Sequence, residues 1–299
     1  YMHPNSLGGV SVSVIPFCVF LFMPARSWWL RLGLLALATT ATICVVYSGS
    51  RTAYVGCVAF IVGWFLVSPH KKRWFTAGIV AGVIALLVMP DQYKERFLSI
   101  GGDEAEGSSK AARLQIIEDA VEVFVRYPGG VGVASFPTVR RHMFGRIQDT
   151  HNLFLEVATN LGVQGLIVFL AFVTYVGWSL RKARDEFGGA LRRLRALRPR
   201  APTTALRRMV DREIRDATVL HGCAQATLFF LIVRLVVGMF GMDLYEIYWW
   251  FAVGMAISLH EIAAVLLRRQ KRLEEQIATA TDGDSFHPFG LGLRASGSP

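Results

Sequence analysis

Charged residues are scarce in this chain of 299 residues. Only 18% are Asp, Glu, Lys or Arg, while 53% are hydrophobic and the mean hydropathy is +0.40. An ordinary soluble domain has roughly 25% charged residues. The composition therefore excludes a protein built around a single water-soluble core.

Cysteine is scarce as well, and its placement excludes two common uses. The four cysteines lie inside apolar runs, at Cys18, Cys44, Cys57 and Cys223. Their spacing matches neither a metal site nor a disulfide framework. We interpret them as small packing residues.

Long apolar runs are abundant instead. A membrane-spanning helix needs about 20 mostly apolar residues, and the sequence offers seven candidates: 7–23, 28–48, 52–68, 74–89, 153–180, 218–240 and 244–267. They predict an all-α, polytopic membrane helix bundle. The chain starts at Tyr1 without a signal-peptide pattern, so we expect further helices to precede it.

Acidic residues are the minority among the charges, 22 against 32 basic residues, which gives a net charge of +10. Basic residues favour short cytoplasmic loops. They cluster in alternate connections, at Arg26 and Arg31, at 71–73, at 181–217 and at 268–272. The corner at 48–51, the long segment 90–150 and the turn at 241–244 are therefore predicted to face outward.

This orientation divides the chain into segments with different predicted environments. We expect four spans in 1–89, a periplasmic loop at 90–150, a span at 151–180 and a basic cytoplasmic loop at 181–217. Two further spans occupy 218–267, and a largely disordered cytoplasmic tail occupies 268–299. The basic loop lacks interleaved aromatics and any nucleic-acid motif. It is better explained as a topology anchor that contacts anionic membrane lipid, with no nucleic-acid partner.

The outer loop contains a predicted amphipathic helix at 109–126. Its apolar positions recur at helical spacing, and the helix ends before Pro128. We expect it to lie along the outer membrane surface and to hold Arg113 near the level of the lipid phosphates. The alternative is an interfacial anchor without a chemical role. The apolar stripe comprises Leu114, Ile117, Val121 and Phe124.

Polar residues mark the start of the span that follows this loop. His151 precedes it, and histidine, with an ordinary pKa of about 6.5, can accept a proton near neutral pH. The alternative is a structural histidine at the helix entry. Asn152, Glu156 and Asn160 share one helix face, which must contact protein or a water-filled cavity rather than lipid.

Four arginines on the outer side are further candidates. Arg51, at the corner after two small residues, is suited to bidentate binding of phosphate, although it could instead be a snorkelling residue. Arg140 and Arg141 lie in the outer loop and, like Asn152, Glu156 and Arg234, are assigned to substrate binding. Arg234 lies inside an apolar span and requires an anionic partner, such as Glu156, Asp243 or a ligand.

Several of these segments together resemble the O-antigen ligase and polymerase superfamily. They are Asn5, SGSR at 48–51, ARLQIIEDAVEVFVRYPGGVGVASF at 112–136 and DTHNLFLEVATNLGVQG at 149–165. That family comprises bacterial inner-membrane enzymes that move a glycan from an undecaprenyl-diphosphate carrier. Its members usually have about a dozen spans, so the resemblance is to their carboxy-terminal portion. By position it implies that Arg51, Arg113 and His151 form the active site.

The resemblance implies transfer of the glycan to an acceptor hydroxyl on the periplasmic face of the membrane. The acceptor is a lipid A-core sugar, another carrier-linked glycan, or a protein serine or threonine. Fixed arginines can neutralise the leaving diphosphate without a metal or cofactor, and the acidic cluster Asp103, Glu104 and Glu106 is interpreted as a solvated loop. A transporter with Arg51, Glu156 and Arg234 along its path is the main alternative, but the paired repeats common in transporters are not evident. A membrane scaffold is the remaining alternative.

Overall fold

The computed structural model describes residues 4–68, 76 and 107–284, and these residues form eight α-helices. The predicted span 74–89 and the acidic cluster at 103–106 lie outside the described residues. The helices are α1 (Pro4–Phe22), α2 (Trp28–Ser48), α3 (Arg51–Val67), α4 (Gly107–Arg126), α5 (Phe136–Phe144), α6 (Leu153–Leu197), α7 (Thr204–Gly238) and α8 (Tyr248–Asp284). A short 3₁₀ helix, Arg198–Arg200, joins α6 to the turn before α7.

Polar capping residues fix where several of these helices begin. The hydroxyls of Ser27, Ser50 and Thr203 each accept a hydrogen bond from a first-turn backbone N–H of α2, α3 and α7. The Asn152 carboxamide does the same for α6. Such side chains replace the missing intrahelical partners of the first N–H groups.

Four of the helices that the structure describes are long and apolar enough to cross a membrane, namely α2, α6, α7 and α8, while α1 and α3 contain shorter apolar segments. An apolar exterior with a tightly packed interior is what a lipid environment requires. The described part of the chain thus confirms the predicted all-α membrane bundle. Its largest core lies between α6, α7 and α8, and a second core joins α1 and α3 to α7.

The basic segment 181–217 has a different structure from the one expected. It is helical over most of its length, because α6 continues to Leu197 and α7 begins at Thr204. The expected disordered tail is also helical as far as Asp284. We call these extensions, residues 181–217 and 268–284, the stalk. Its core contains the buried side chains of Ala183, Phe187, Ala190, Leu194, Val210, Ala217, Leu273 and Ile277.

The predicted amphipathic helix is present as α4, but its buried face differs from the predicted stripe. Leu114, Ile117 and Val121 are exposed, and Phe124 is only half-buried. The face that packs on α5 and α6 instead carries Ile116, Asp119, Ala120 and Val123. Helix α4 therefore has two apolar stripes, of which the neighbouring protein covers one.

Candidate active site

His151 lies in the linker that enters α6, at the end of the bundle opposite the stalk. The residue is exposed and its φ of +48° lies in the left-handed region. Ala134, in the preceding loop, is the other non-glycine residue with positive φ among those described. A left-handed backbone conformation at a non-glycine residue costs of order 1–3 kcal/mol, and it persists where the surrounding structure imposes it. Both residues adjoin the predicted site, as expected for a functional region.

The residues on either side hold His151 in this position. Thr150 is buried, and its hydroxyl donates to the Asn152 carbonyl at 3.2 Å. The Asn152 carboxamide oxygen accepts from the backbone N–H groups of Phe154 and Leu155, while its NH₂ donates to the Met239 carbonyl at 3.1 Å. Asn152 therefore caps α6 and ties it to the end of α7. The geometry gives it a positioning role, and a substrate contact by Asn152 stays a prediction.

Arg234 forms a buried ion pair at the same end of the bundle. Its guanidinium pairs with Asp243, in the connection between α7 and α8, and lies over the Tyr248 ring at 3.4 Å from the ring centre. The predicted need for an anionic partner is thus met by Asp243 rather than Glu156. Burial raises the pKa of the Asp243 carboxyl, and the charge of Arg234 opposes that rise. With 2% of its side chain exposed, Arg234 is positioned to hold α7 against α8.

Glu156 binds the same connection from α6. It is buried, and its Oε2 accepts a hydrogen bond from the backbone N–H of Leu244 at 3.4 Å. Asn152 and Glu156 therefore both join the first turns of α6 to residues 239–247. The polar face predicted for this helix contacts protein, one of the two environments expected for it.

Arg51 occupies the first position of α3, after a corner that brings α2 and α3 together. Gly49 adopts the left-handed φ of 59° that ends α2, and Ser50 caps α3. Helix α1 passes so close that a Cβ at Gly8 would lie 2.8 Å from the Ser48 hydroxyl. The next residue, Gly9, lies beside Arg234, whose Nη1 would be 3.3 Å from a Cβ there. The start of α1 thus places the Arg51 corner and the Arg234 pair at one end of the bundle.

The two arginines of α5 have different environments. Arg140 is buried, and its Nε donates to Asp119 of α4 at 2.8 Å. Its Nη1 donates to the Gln148 carbonyl at 3.4 Å, and Arg146 also approaches Asp119 at 3.4 Å. Arg140 therefore links α4, α5 and the linker to His151, so its geometry favours a structural role over substrate binding. Arg141 is exposed.

The outer loop is joined to a kink in α6. The sequence did not predict this junction. Gly162 interrupts the helix with φ 71° and ψ −168°. The loop after α4 pairs with this kink through backbone hydrogen bonds, from Val131 to Thr159, from Gly132 to Asn160 and from Val163 to Pro128, each 2.9 Å long. The contact is possible because both backbone segments carry glycine. A Cβ at Gly130 would lie 2.6 Å from the Asn160 carbonyl.

Asn160 connects this junction to its neighbours. Its buried side-chain oxygen accepts from the Phe136 backbone N–H at 3.1 Å, at the first turn of α5. The hydroxyl of Tyr245, from the connection between α7 and α8, contacts both the Asn160 side chain and the Ala134 backbone, and partial burial raises its pKa. The outer loop, α6 and the 239–247 connection are consequently bound together around the entry to α6.

The structure brings some predicted residues together and keeps others apart. His151, Asn152, Glu156 and Arg234 share the end formed by the start of α6, the end of α7 and the connection from α7 to α8, with Arg51 at the adjoining corner. Arg113 lies on the exposed part of α4, outside this network. Among the described residues, no group of three or more His, Cys, Asp or Glu side chains is placed to hold a metal ion.

The comparison with protein families matches a range that includes this part of the chain. The family described as O-Antigen ligase matches residues 34–170, which include Arg51, Arg113, His151 and the junction at Gly130 and Gly162. No curated protein matches the chain. Together with the apolar helices, the family match identifies an integral membrane protein. Residues 34–170 are therefore similar to the O-antigen ligase family.

Proposed function

We propose that the protein is a glycosyltransferase that moves a glycan from an undecaprenyl-diphosphate carrier to an acceptor hydroxyl on the periplasmic face of the bacterial inner membrane. The observation that carries the proposal is the position of His151. This exposed histidine is held in the left-handed region at the mouth of α6, inside the segment that matches the O-antigen ligase family. A side chain exposed on an imposed backbone is suited to meet a substrate.

In the proposed reaction, His151 accepts the proton of the acceptor hydroxyl as its oxygen attacks the anomeric carbon. The new glycosidic bond forms while the bond between that carbon and the phosphate oxygen breaks. The electron pair of the broken bond leaves with the carrier diphosphate. Attack in one step from the opposite face inverts the anomeric centre. General-base assistance of this kind typically contributes a rate factor of about 10²–10⁴.

Arg51 and Arg113 are proposed to neutralise the charge that develops on the diphosphate. Arg51 lies in the first turn of α3, where the helix dipole also favours an anion. Arg113 lies on α4 beside the exposed stripe of Leu114, Ile117 and Val121. Inserted into the outer leaflet, that stripe would hold Arg113 at the level of the lipid phosphates. A lipid-linked diphosphate presents its charge at the same level.

The remaining predicted residues divide into two groups under this proposal. Arg141, which is exposed on α5, is available to contact the donor glycan or its phosphates. The other four, Arg140, Asn152, Glu156 and Arg234, use their polar atoms to fix α4, α5, α6 and the 239–247 connection. They position the catalytic groups without contacting the substrate.

The test is a transfer assay with matched histidine variants. Purified full-length protein is incubated with carrier-linked glycan and each candidate acceptor, and the product is identified. We expect His151→Ala to lose at least about 10²-fold in rate. His142→Ala, which alters an exposed histidine of α5, should retain the parent rate.

Two results would contradict the proposal. Transfer by His151→Ala within about tenfold of the parent rate would remove the general-base role. Movement of intact carrier-linked glycan across a vesicle membrane, with no new glycosidic bond, would instead identify a transporter.

A further inference from the structure

The stalk carries a concentration of arginine that the proposed transfer reaction does not use. Residues 192–208, at its distal end, include seven arginines and no acidic residue: Arg192, Arg193, Arg195, Arg198, Arg200, Arg207 and Arg208. All seven are exposed. The apolar core of the stalk is formed by other side chains. Of the seven, Arg198 pairs with Asp211 and Arg207 donates to the Ala201 carbonyl at the turn. The mutual repulsion of the seven arginines opposes folding, so their presence requires another explanation.

Contact with anionic lipid accounts for the arginines near the membrane but not for the arginines at the tip of the stalk. Exposed Tyr175 and Trp178, and Lys182 over the Trp178 ring at 5.4 Å, mark the membrane boundary on α6. From Lys182 to Leu197 the helix rises about 23 Å, and α7 rises about 21 Å from Thr204 to Thr218. Lipid headgroups extend about 5–8 Å beyond the hydrocarbon. The attraction then falls off within a Debye length of about 8 Å.

The helices run through this boundary without a break. The non-helical residue in α6 is Gly162, close to the opposite end. Arg198 also pairs with Asp211 across the turn at 2.6 Å, which fixes α6 to α7 at the tip. The stalk is therefore a continuous helical projection. Its arginines from Arg195 to the tip, about 20 Å or more along α6 from Lys182, lie beyond the reach of lipid headgroups.

An apolar centre accompanies the arginines. Met209 is 47% exposed and lines two adjoining depressions of about 350 and 690 Å³. The first is lined by Arg208, Arg212, Arg215 and Asp211, and the second includes Leu206, Arg272 and Glu275. Arginine thus outnumbers carboxylate around Met209, and Asp211 is already paired with Arg198. An exposed methionine with arginine neighbours is typical of protein interfaces. Nucleic acid would favour aromatic side chains for base stacking, and residues 188–217 contain none.

We propose that the distal stalk is a docking surface for an acidic protein, on the membrane side opposite His151. The partner presents a helix whose apolar residue rests against Met209 and whose carboxylates pair with the surrounding arginines. Arginine suits this because its planar fork binds carboxylate in bidentate geometry. The surface lies at the far end of the bundle from the transfer site, and the proposal does not depend on that site's chemistry.

The test measures binding of a synthetic amphipathic helix of Glu and Leu to the full-length protein in nanodiscs of neutral lipid. A peptide of the same composition in scrambled order is the second probe. We expect the amphipathic peptide to bind at least about tenfold more tightly than the scrambled one. Met209→Ser should remove this preference.

Charge variants separate the tip from the base of the stalk. Replacing Arg195, Arg200 and Arg208 by Gln should weaken peptide binding by at least about tenfold. Replacing Arg181, Lys182 and Arg184 by Gln removes the same charge near the membrane, and should change binding by less than about threefold. These variants alter exposed or half-buried side chains and leave the buried core intact.

Three results would overturn the proposal. Equal binding of the amphipathic and scrambled peptides would show only non-specific charge attraction. Tighter binding of single-stranded RNA than of the peptide would identify a nucleic-acid surface. Equal loss of binding in the tip and base variants would show that the distal arginines have no special role.

Discussion

The junction between the outer loop and the α6 kink depends on Gly130, and a single methyl group tests it. In Gly130→Ala the new Cβ would lie 2.6 Å from the Asn160 carbonyl oxygen and 2.7 Å from the Leu161 carbonyl carbon. These are backbone atoms that cannot rotate away. The residue also has φ +87°, where a side chain costs roughly 1–2 kcal/mol. Overpacking adds about 1–3 kcal/mol, so the free energy of unfolding should fall by about 2–5 kcal/mol.

Two other glycines provide matched controls for this variant. At Gly129, the preceding residue, an added Cβ would have no heavy atom within 4 Å, so Gly129→Ala should change the free energy of unfolding by less than about 0.5 kcal/mol. Gly145 has φ +69° and equally open surroundings. Gly145→Ala should therefore show the left-handed cost alone, roughly 1–2 kcal/mol.

Thermal unfolding of the purified variants in one detergent measures the order of these effects. We expect the lowest Tm for Gly130→Ala, an intermediate value for Gly145→Ala and a near-parental value for Gly129→Ala. Glycan transfer should also fall in Gly130→Ala, because the junction supports α5 and the linker to His151. A Tm for Gly130→Ala within error of that for Gly129→Ala would refute the close backbone contact.

Three further predictions address capping, charge and orientation. Asn152→Ala removes the α6 cap and the bond to Met239, and should cost about 1–2 kcal/mol in a denaturation measurement, whereas an unchanged stability would show that the cap is dispensable. Arg51→Lys and Arg113→Lys lose the bidentate fork and should each slow transfer by at least about tenfold. Excess chelator should leave the parent enzyme active, and inhibition reversed by Mg²⁺ or Mn²⁺ would show that a metal carries the diphosphate charge. In a background without the native cysteines, an impermeant thiol reagent should label Thr138→Cys but not Thr204→Cys on intact cells, and the reverse pattern would invert the orientation.

The pattern of apolar residues predicted the helices well but not their buried faces. On α4 the stripe of Leu114, Ile117 and Val121 was visible, yet Ile116, Ala120 and Val123 form a second stripe at the same spacing. Protein interiors and lipid are similarly apolar. The sequence alone is therefore compatible with burial of either stripe against protein. Packing of Ala120 and Val123 against Phe136 decides which one is buried.

The apolar residues of the stalk are spaced as in a helix, although the many charged residues around them are typical of a loop. Ala183, Phe187, Ala190 and Leu194 recur at three- and four-residue spacing and are all buried, which is the pattern of a packed helix. The surrounding arginines instead favoured a loop. The positive charge and the helix are both real, because long charged side chains project into solvent from the uncovered faces.

The sequence by itself determined the membrane class, the apolar spans of the described residues and the resemblance to the O-antigen ligase family, because the length of an apolar run and the order of local motifs are properties of the chain alone. Tertiary structure decided the partners. Arg234 needed an anion, and both Glu156 and Asp243 could have supplied it; packing of α7 on α8 selects Asp243. Likewise, packing of α6 on the end of α7 brings Asn152 to the Met239 carbonyl, and packing of α5 on α6 brings the Phe136 N–H to Asn160. A buried polar group must be satisfied, but only the three-dimensional arrangement determines which of the possible groups comes within reach.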